Sequence, residues 1–207
     1  MDAYLQLRQN VFSCKVCPTP CDGISKMNYD FEKSVNFSEY FEQKLIHHIN
    51  SSTDFKADKT TEKGYPDLKV ETKTGAIFYI EVKVQQRTFM SVEKIIPQSG
   101  LKPSETVALN LSDLLRYFEL EESDKLQIFI FWVVLNRPCI IPVDEERYYY
   151  RLVSELKPIW QQEKDNRRFR RKSGAGDVVD GEHKGVTVNY HFSLNELKIW
   201  QNKLKKF

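Results

Sequence analysis

The chain has 207 residues, with 31 Lys or Arg against 29 Asp or Glu for a formal net charge of +2, and it is 41% hydrophobic and 13% aromatic. That composition supplies a core for one compact domain with appendages and excludes a disordered, low-complexity or repeat protein. No run approaches the roughly 20 apolar residues of a bilayer-spanning helix, and so balanced a charge leaves any nucleic-acid contact to local clusters.

Met1 to Gln6 lacks a basic stretch leading into an apolar one, so no secretory signal is expected and a cytoplasmic, reducing setting follows. Next come Cys14, Cys17 and Cys21, spaced C-x2-C-x3-C, with Cys139 as the fourth cysteine of the chain. Four thiolates would satisfy a structural Zn²⁺ or, less readily, an iron-sulfur cluster, tying the arm of residues 1–30 to the region near 139; free thiols or a disulfide are the other reading. Asn36 to Ile49 predicts a helix, with Asn36 and Glu39 as a capping box and Phe37, Phe41, Leu45 and His48 as an apolar stripe flanked by Tyr40 and Ile49. Asp54 to Ala57 is expected as a first short strand.

Pro66 to Glu71 alternates, with Asp67, Lys69 and Glu71 on one side and Leu68 and Val70 on the other; Pro66 suits the first position of a strand, where no ladder donor is needed. Thr72 to Ala76 has the length and the glycine of a hairpin connection. Ile77 to Gln85 then alternates again, Phe78, Ile80, Val82 and Val84 facing a core and Tyr79, Glu81, Lys83 and Gln85 the opposite, wetter side. Antiparallel pairing of these two strands brings Asp67 level with the Glu81 to Lys83 end. Two carboxylates meeting there make a hard oxygen site of the kind Mg²⁺ or Mn²⁺ prefers; the bland alternative is a surface Glu/Lys pair on a solvated strand face.

Ser112 to Leu120 predicts a helix capped by Ser112, and Leu126 to Leu135 a central strand buried on both faces. Asp144 to Gln162 is expected to be helical, broken or restarted at Pro158, with Tyr148, Tyr149 and Tyr150 as packing residues more than base-stacking ones. Arg167, Arg168, Arg170, Arg171 and Lys172 surround Phe169 ahead of a glycine-containing loop, a cluster that could contact DNA phosphates or be ordinary solvated surface. Gly185 to Phe192 alternates like a strand. Ser193 and Glu196 are spaced as a capping box opening a closing helix, with Leu197, Trp200, Leu204 and Phe207 as its apolar side.

Pro66-Asp67, thirteen intervening residues and Glu81-Val82-Lys83 resemble the signature of the PD-(D/E)xK nuclease superfamily, over roughly residues 36–135, about half of the chain. The resemblance implies an α/β, restriction-endonuclease-like αβββαβ core with a mixed central sheet in residues 31–143, between the cysteine arm of residues 1–30 and a C-terminal elaboration of residues 144–207. It implies Mg²⁺ or Mn²⁺ on Asp67 and Glu81, Lys83 beside the attacking water, Glu42 as an accessory carboxylate with Glu39 as the fallback, and Gln85 holding water or phosphate. It implies a DNA endonuclease: a homodimeric Type II restriction endonuclease as the first expectation, a Holliday-junction-resolving or DNA-repair nuclease as the alternative. A catalytically inactive DNA-binding module is the rival from another class, and no membrane partner is expected.

Overall fold

A computed structural model describes residues 31–85, 88–89, 91–135, 137, 141, 145–170, 178–179, 182–183 and 188–204. The four cysteines, Arg171 and Lys172 lie outside the described residues, so the expected thiolate site and the last two cations of the basic cluster are not placed. No helix among the described residues is long and apolar enough to cross a membrane.

The first helix, α1 (Phe31–Ser52), is followed by strands β1 (Lys56–Lys59), β2 (Leu68–Glu71) and β3 (Ile77–Gln85). A short helix α2 (Val92–Ile95) and strand β4 (Thr106–Asn110) lead into α3 (Leu111–Ser123) and strand β5 (Gln127–Val134). Leaving aside α2 and β4, this is the αβββαβ order expected from the sequence. Later come β6 (Arg147–Leu152), α4 (Val153–Glu163), β7 (Arg168–Arg170), β8 (Val178–Val179), β9 (Glu182–His183), β10 (Val188–Ser193) and β11 (Lys198–Trp200).

Among the described residues six strands form the central sheet in the order β1-β2-β3-β5-β6-β11, and β4-β10-β7 form a second, smaller one. The central sheet is mixed: β3 and β5 run parallel, whereas β1 with β2, β2 with β3, β5 with β6 and β6 with β11 are antiparallel. Parallel neighbours require a crossover connection, and α3 lies on that route, which carries it across one face of the sheet.

The two faces bury separate cores. Phe37, Phe41, Leu45 and Ile49 of α1, four residues apart and so one above another on the helix, cover Leu68, Val70, Ile80, Val82, Phe131 and Val133. On the opposite face Leu114, Tyr117 and Phe118 of α3 and Val153 and Leu156 of α4 join Tyr79, Ile128, Ile130, Trp132 and the second sheet's Val107, Leu109, Tyr190 and Phe192. Strand β5 supplies alternate residues to both cores, which is why its sequence is an unbroken apolar run.

Several boundaries differ from expectation for identifiable reasons. Helix α1 is already formed at Phe31, so Asn36 is an interior residue and not a cap. The first strand is displaced to Lys56–Lys59, since Thr53 still bonds back to the Ile49 carbonyl. Strand β2 starts at Leu68, leaving Pro66 and Asp67 just ahead of it. The expected N-cap Ser112 lies within the first turn of α3, whose cap position is Asn110.

Residues 147–152 are a strand, not helix. Arg-Tyr-Tyr-Tyr-Arg-Leu is β-favouring, and the strand pairs with β5 on one side and β11 on the other. Its tyrosines pack, Tyr148 stacking on Phe131 at 5.7 Å between ring centroids. Pro158 sits inside α4 without ending it; Ile159 and Trp160 beyond it still pack on the core, and this outweighs one lost backbone bond. The capping box of Ser193 and Glu196 forms, but it opens one 3-10 turn, Leu194–Glu196, followed by β11 in place of the expected closing helix.

Candidate active site

The β2–β3 hairpin sets the site by its register. Leu68 pairs with Ile80 and Glu71 with Ile77, and the turn closes through Thr72 N–H to the Ala76 carbonyl at 2.8 Å, with Gly75 at φ 81°, a conformation glycine adopts without strain. Asp67, one residue beyond the last pair, therefore meets the middle of β3: its Oδ2 accepts the Val82 N–H at 2.8 Å. Val82 itself faces the α1 core, which leaves Glu81 and Lys83 on the other side of the strand.

That other side is not wet. Helix α3 roofs it, and Glu81 retains only 4% of its exposure. One oxygen of this buried carboxylate, Oε2, accepts the Tyr117 hydroxyl at 2.6 Å, and the other, Oε1, pairs with the Lys83 ammonium. Lys83 keeps a quarter of its side chain exposed and lies 3.9 Å from Oδ2 of Asp113. Asp113 in turn accepts Arg116 Nη2 at 2.8 Å, and Arg116 Nε donates to the Gly64 carbonyl at 2.7 Å, in the loop that delivers Asp67.

Glu42 approaches from α1. It is nearly buried and pairs with Lys59 of β1 at 3.0 Å, while Glu39 is exposed and 3.9 Å from the same ammonium. Lys59 is held above its ordinary value by its hydrogen bond to Glu42 against a burial cost, with Glu39 and Asp67 adding to the attraction.

The electrostatics are those of carboxylates crowded together out of water. Burial, and then the Glu81 charge, push the Asp67 carboxyl up to about 7; Lys83 and the Val82 amide oppose this, and Glu42 adds to it. Burial disfavours the Lys83 ammonium, but Glu81 and Asp67 more than compensate and hold it above the usual lysine range. The Tyr117 hydroxyl is driven well above the ordinary phenol range by burial and by Glu81, so it stays a proton donor.

Asp67, Glu81 and Lys83 are thus brought together, with Glu42 close enough to act on Asp67. Gln85 is turned elsewhere: its Oε1 accepts the Ala108 N–H of β4 at 3.3 Å, joining the end of β3 to the second sheet. Arg167 is directed inward. It is 6% exposed and pairs with Glu196 at 2.6 Å and Glu163 at 3.3 Å, so its charge is already matched within the fold. Arg168 and Arg170 remain exposed on β7. Asp113, Arg116, Tyr117 and Lys59 were not singled out in the sequence. The signal available was the Asp113–Tyr117 spacing of four, which puts both on one helix face, but nothing local says that this face meets β3.

Among the described residues no three His, Cys, Asp or Glu side chains converge as a metal-binding set. Asp67 and Glu81 nevertheless suit a hard divalent ion in their donor chemistry, being two carboxylates, one of them raised in pKa partly by the other.

A scan against known protein families finds no match for this chain. A phenylalanine–tRNA ligase beta subunit from Wigglesworthia glossinidia brevipalpis is 27% identical over 126 residues, 61% of this chain, and the chain spans 15% of that relative's length. A solved structure of a Holliday junction resolvase from Archaeoglobus fulgidus is similar at 10% identity with a TM-score of 0.41, covering 77% of this chain and 86% of that one.

Proposed function

We propose that this protein is an endonuclease that hydrolyses DNA phosphodiester bonds with Mg²⁺ or Mn²⁺, acting at Asp67, Glu81 and Lys83. The observation that carries the reading is the hairpin register: the Asp67 bond to the Val82 amide places the aspartate beside a buried Glu81 paired with Lys83. A bound divalent cation would supply Lewis acidity and charge neutralisation at the scissile phosphate.

The chain's own groups do the rest. Asp67 and Glu81 are the ligands, each oriented by a fixed donor, the Val82 amide for one and the Tyr117 hydroxyl for the other. Lys83, kept cationic by its carboxylate neighbours, donates to the attacking water or to a phosphate oxygen and stabilises the charge that develops there. Glu42 adds negative potential from α1.

Substrate grip is assigned to Arg168 and Arg170, exposed on β7 of the second sheet, with Arg171 and Lys172 following in sequence. A restriction-type endonuclease working as a homodimer is the form we favour, because the second sheet adds surface beyond the αβββαβ core and reading bases requires such surface. The test is incubation of wild type and Lys83→Ala with plasmid, long linear DNA and a four-way junction, with Mg²⁺, Mn²⁺ or EDTA. Discrete metal-dependent fragments from wild type alone support the restriction reading. Cleavage of the junction alone replaces it with a resolving enzyme, and binding without cleavage of any substrate would leave a DNA-binding module.

A further inference from the structure

Helix α3 brings a further carboxylate, Asp113, to the edge of the site, and the ligand pair leaves it without a task. Its position is closely specified. Oδ1 accepts Arg116 at 2.8 Å, and Arg116 is anchored through Nε to the Gly64 carbonyl at 2.7 Å, so the group is braced against the loop that carries Asp67. Oδ2 faces Lys83 Nζ at 3.9 Å.

Both oxygens of Glu81 are engaged, one by Tyr117 and one by Lys83. These two engagements differ in how easily they can be given up. Tyr117 is 1% exposed and fixed in a core with Leu114 and Phe118, so its hydroxyl cannot leave. Lys83 ends a flexible four-carbon stem and is a quarter exposed. An ammonium and a divalent cation on the same carboxylate oxygen repel each other, so moving Lys83 away from Glu81 favours a cation there.

We infer that Asp113 is a positioning residue, a second seat for the Lys83 ammonium that frees the outer oxygen of Glu81 for a divalent cation. The inference rests on the reading of Asp67 and Glu81 as cation ligands. The 3.9 Å gap is just beyond hydrogen-bonding distance, so a small change in the lysine side chain completes the transfer. Arg116 holds Asp113 in place meanwhile, preventing it from following Lys83 or turning away.

The test is Mn²⁺ affinity, read from the electron paramagnetic resonance of the unbound ion, for wild type, Asp113→Asn, Lys83→Met and the double variant, without DNA. Asp113→Asn should weaken Mn²⁺ binding about tenfold, the low end of the usual loss when an outer partner of a metal site is removed. Lys83→Met should bind at least as tightly as wild type, and Asp113→Asn should have no further effect in that background, since no lysine remains to be housed. Circular dichroism confirms folding, and Asp113→Ser takes the place of Asp113→Asn in the cycle if the latter does not fold.

Equal affinity of wild type and the Asp113 variant overturns the inference. So does a loss of the same size in both backgrounds, which would mean that Asp113 acts on the ion by its charge alone. In either case the ligand pair stands. Failure of folded wild type to bind Mn²⁺ at all would overturn the ligand pair and this inference together.

Discussion

The hydroxyl of Tyr117 reaches Glu81 across 36 residues of sequence and donates to its inner oxygen at 2.6 Å. The helix that roofs the sheet therefore also aims its central carboxylate. Tyr117→Phe keeps the ring in the core but leaves a buried carboxylate oxygen without its donor. We expect a loss of about 1–3 kcal/mol in stability, read by urea denaturation, and a roughly 10–100-fold fall in single-turnover plasmid cleavage. A variant as active and as stable as wild type would show that the bond does not orient Glu81.

Asp67 makes stability depend on pH in a definite direction. Its folded value of about 7 lies above the 3.8 of a free aspartate, so between these values the folded chain holds a proton that the unfolded chain has released. Stability contributed by this group is complete below about pH 4 and is lost as pH rises through 7. Asp67→Asn cannot ionise and retains an acceptor for the Val82 amide. At pH 8 it should be more stable than wild type by roughly 2–4 kcal/mol, each tenfold change in an ionisation constant being worth about 1.4 kcal/mol, and the two should converge near pH 4. A stability difference that does not grow with pH would mean that Asp67 is not so confined.

The same carboxylate crowding predicts a response to divalent ions. Adding Mg²⁺ at pH 8 should raise the thermal midpoint of wild type, because an ion that binds only the folded chain stabilises it. Asp67→Asn and Glu81→Gln should lose this response and all cleavage while still binding DNA. Cleavage surviving in either variant would refute the assignment of ligands.

Within the basic segment, neighbouring arginines should behave differently. Replacing Arg168 and Arg170 by Gln should reduce the slope of log affinity for DNA against log salt by about 2 and leave stability near wild type. Arg167→Gln should cost about 3 kcal/mol by stranding Glu163 and Glu196, with little change in the salt slope. Filter binding over a salt series, set beside urea midpoints, separates the two. A flattened slope in Arg167→Gln with normal stability would reverse the assignment.

How much of this was legible depended on whether the signal was local. Strands β3 and β5 and the β2–β3 turn could be read because periodicity, an unbroken apolar run and a glycine-containing link each carry their own meaning, and the Asp67–Glu81 proximity follows from the hairpin's register. Burial of Glu81 could not be read: the alternation of β3 looks the same whether its polar side meets water or a helix. Residues 147–152 read locally as part of a helix because their strand character depends on pairing with β5 and β11, far away in sequence. Ser193 and Glu196 make the bonds that their spacing promises, yet a capping box says only that a helical turn starts, not how long it lasts. The inward direction of Arg167 was hidden because its partner Glu196 lies beyond the loop that follows it.

The turn at residues 72–76 lies at one end of the β2–β3 pair and Asp67 at the other. Any change in the length of that turn has two outcomes. If the extra or missing residue is absorbed at the tip, where a side chain at Gly75 would meet nothing within 4 Å, the site is unaffected. If instead the strands slide by one position, Asp67 trades the Val82 amide for a neighbour's, and Leu68 and Val70 leave the core. The hairpin is in this sense a ruler graduated in single residues, its scale set at the turn and read at the carboxylate. Insertions and deletions in this protein's relatives should accordingly be tolerated at the tip and not within the two strands.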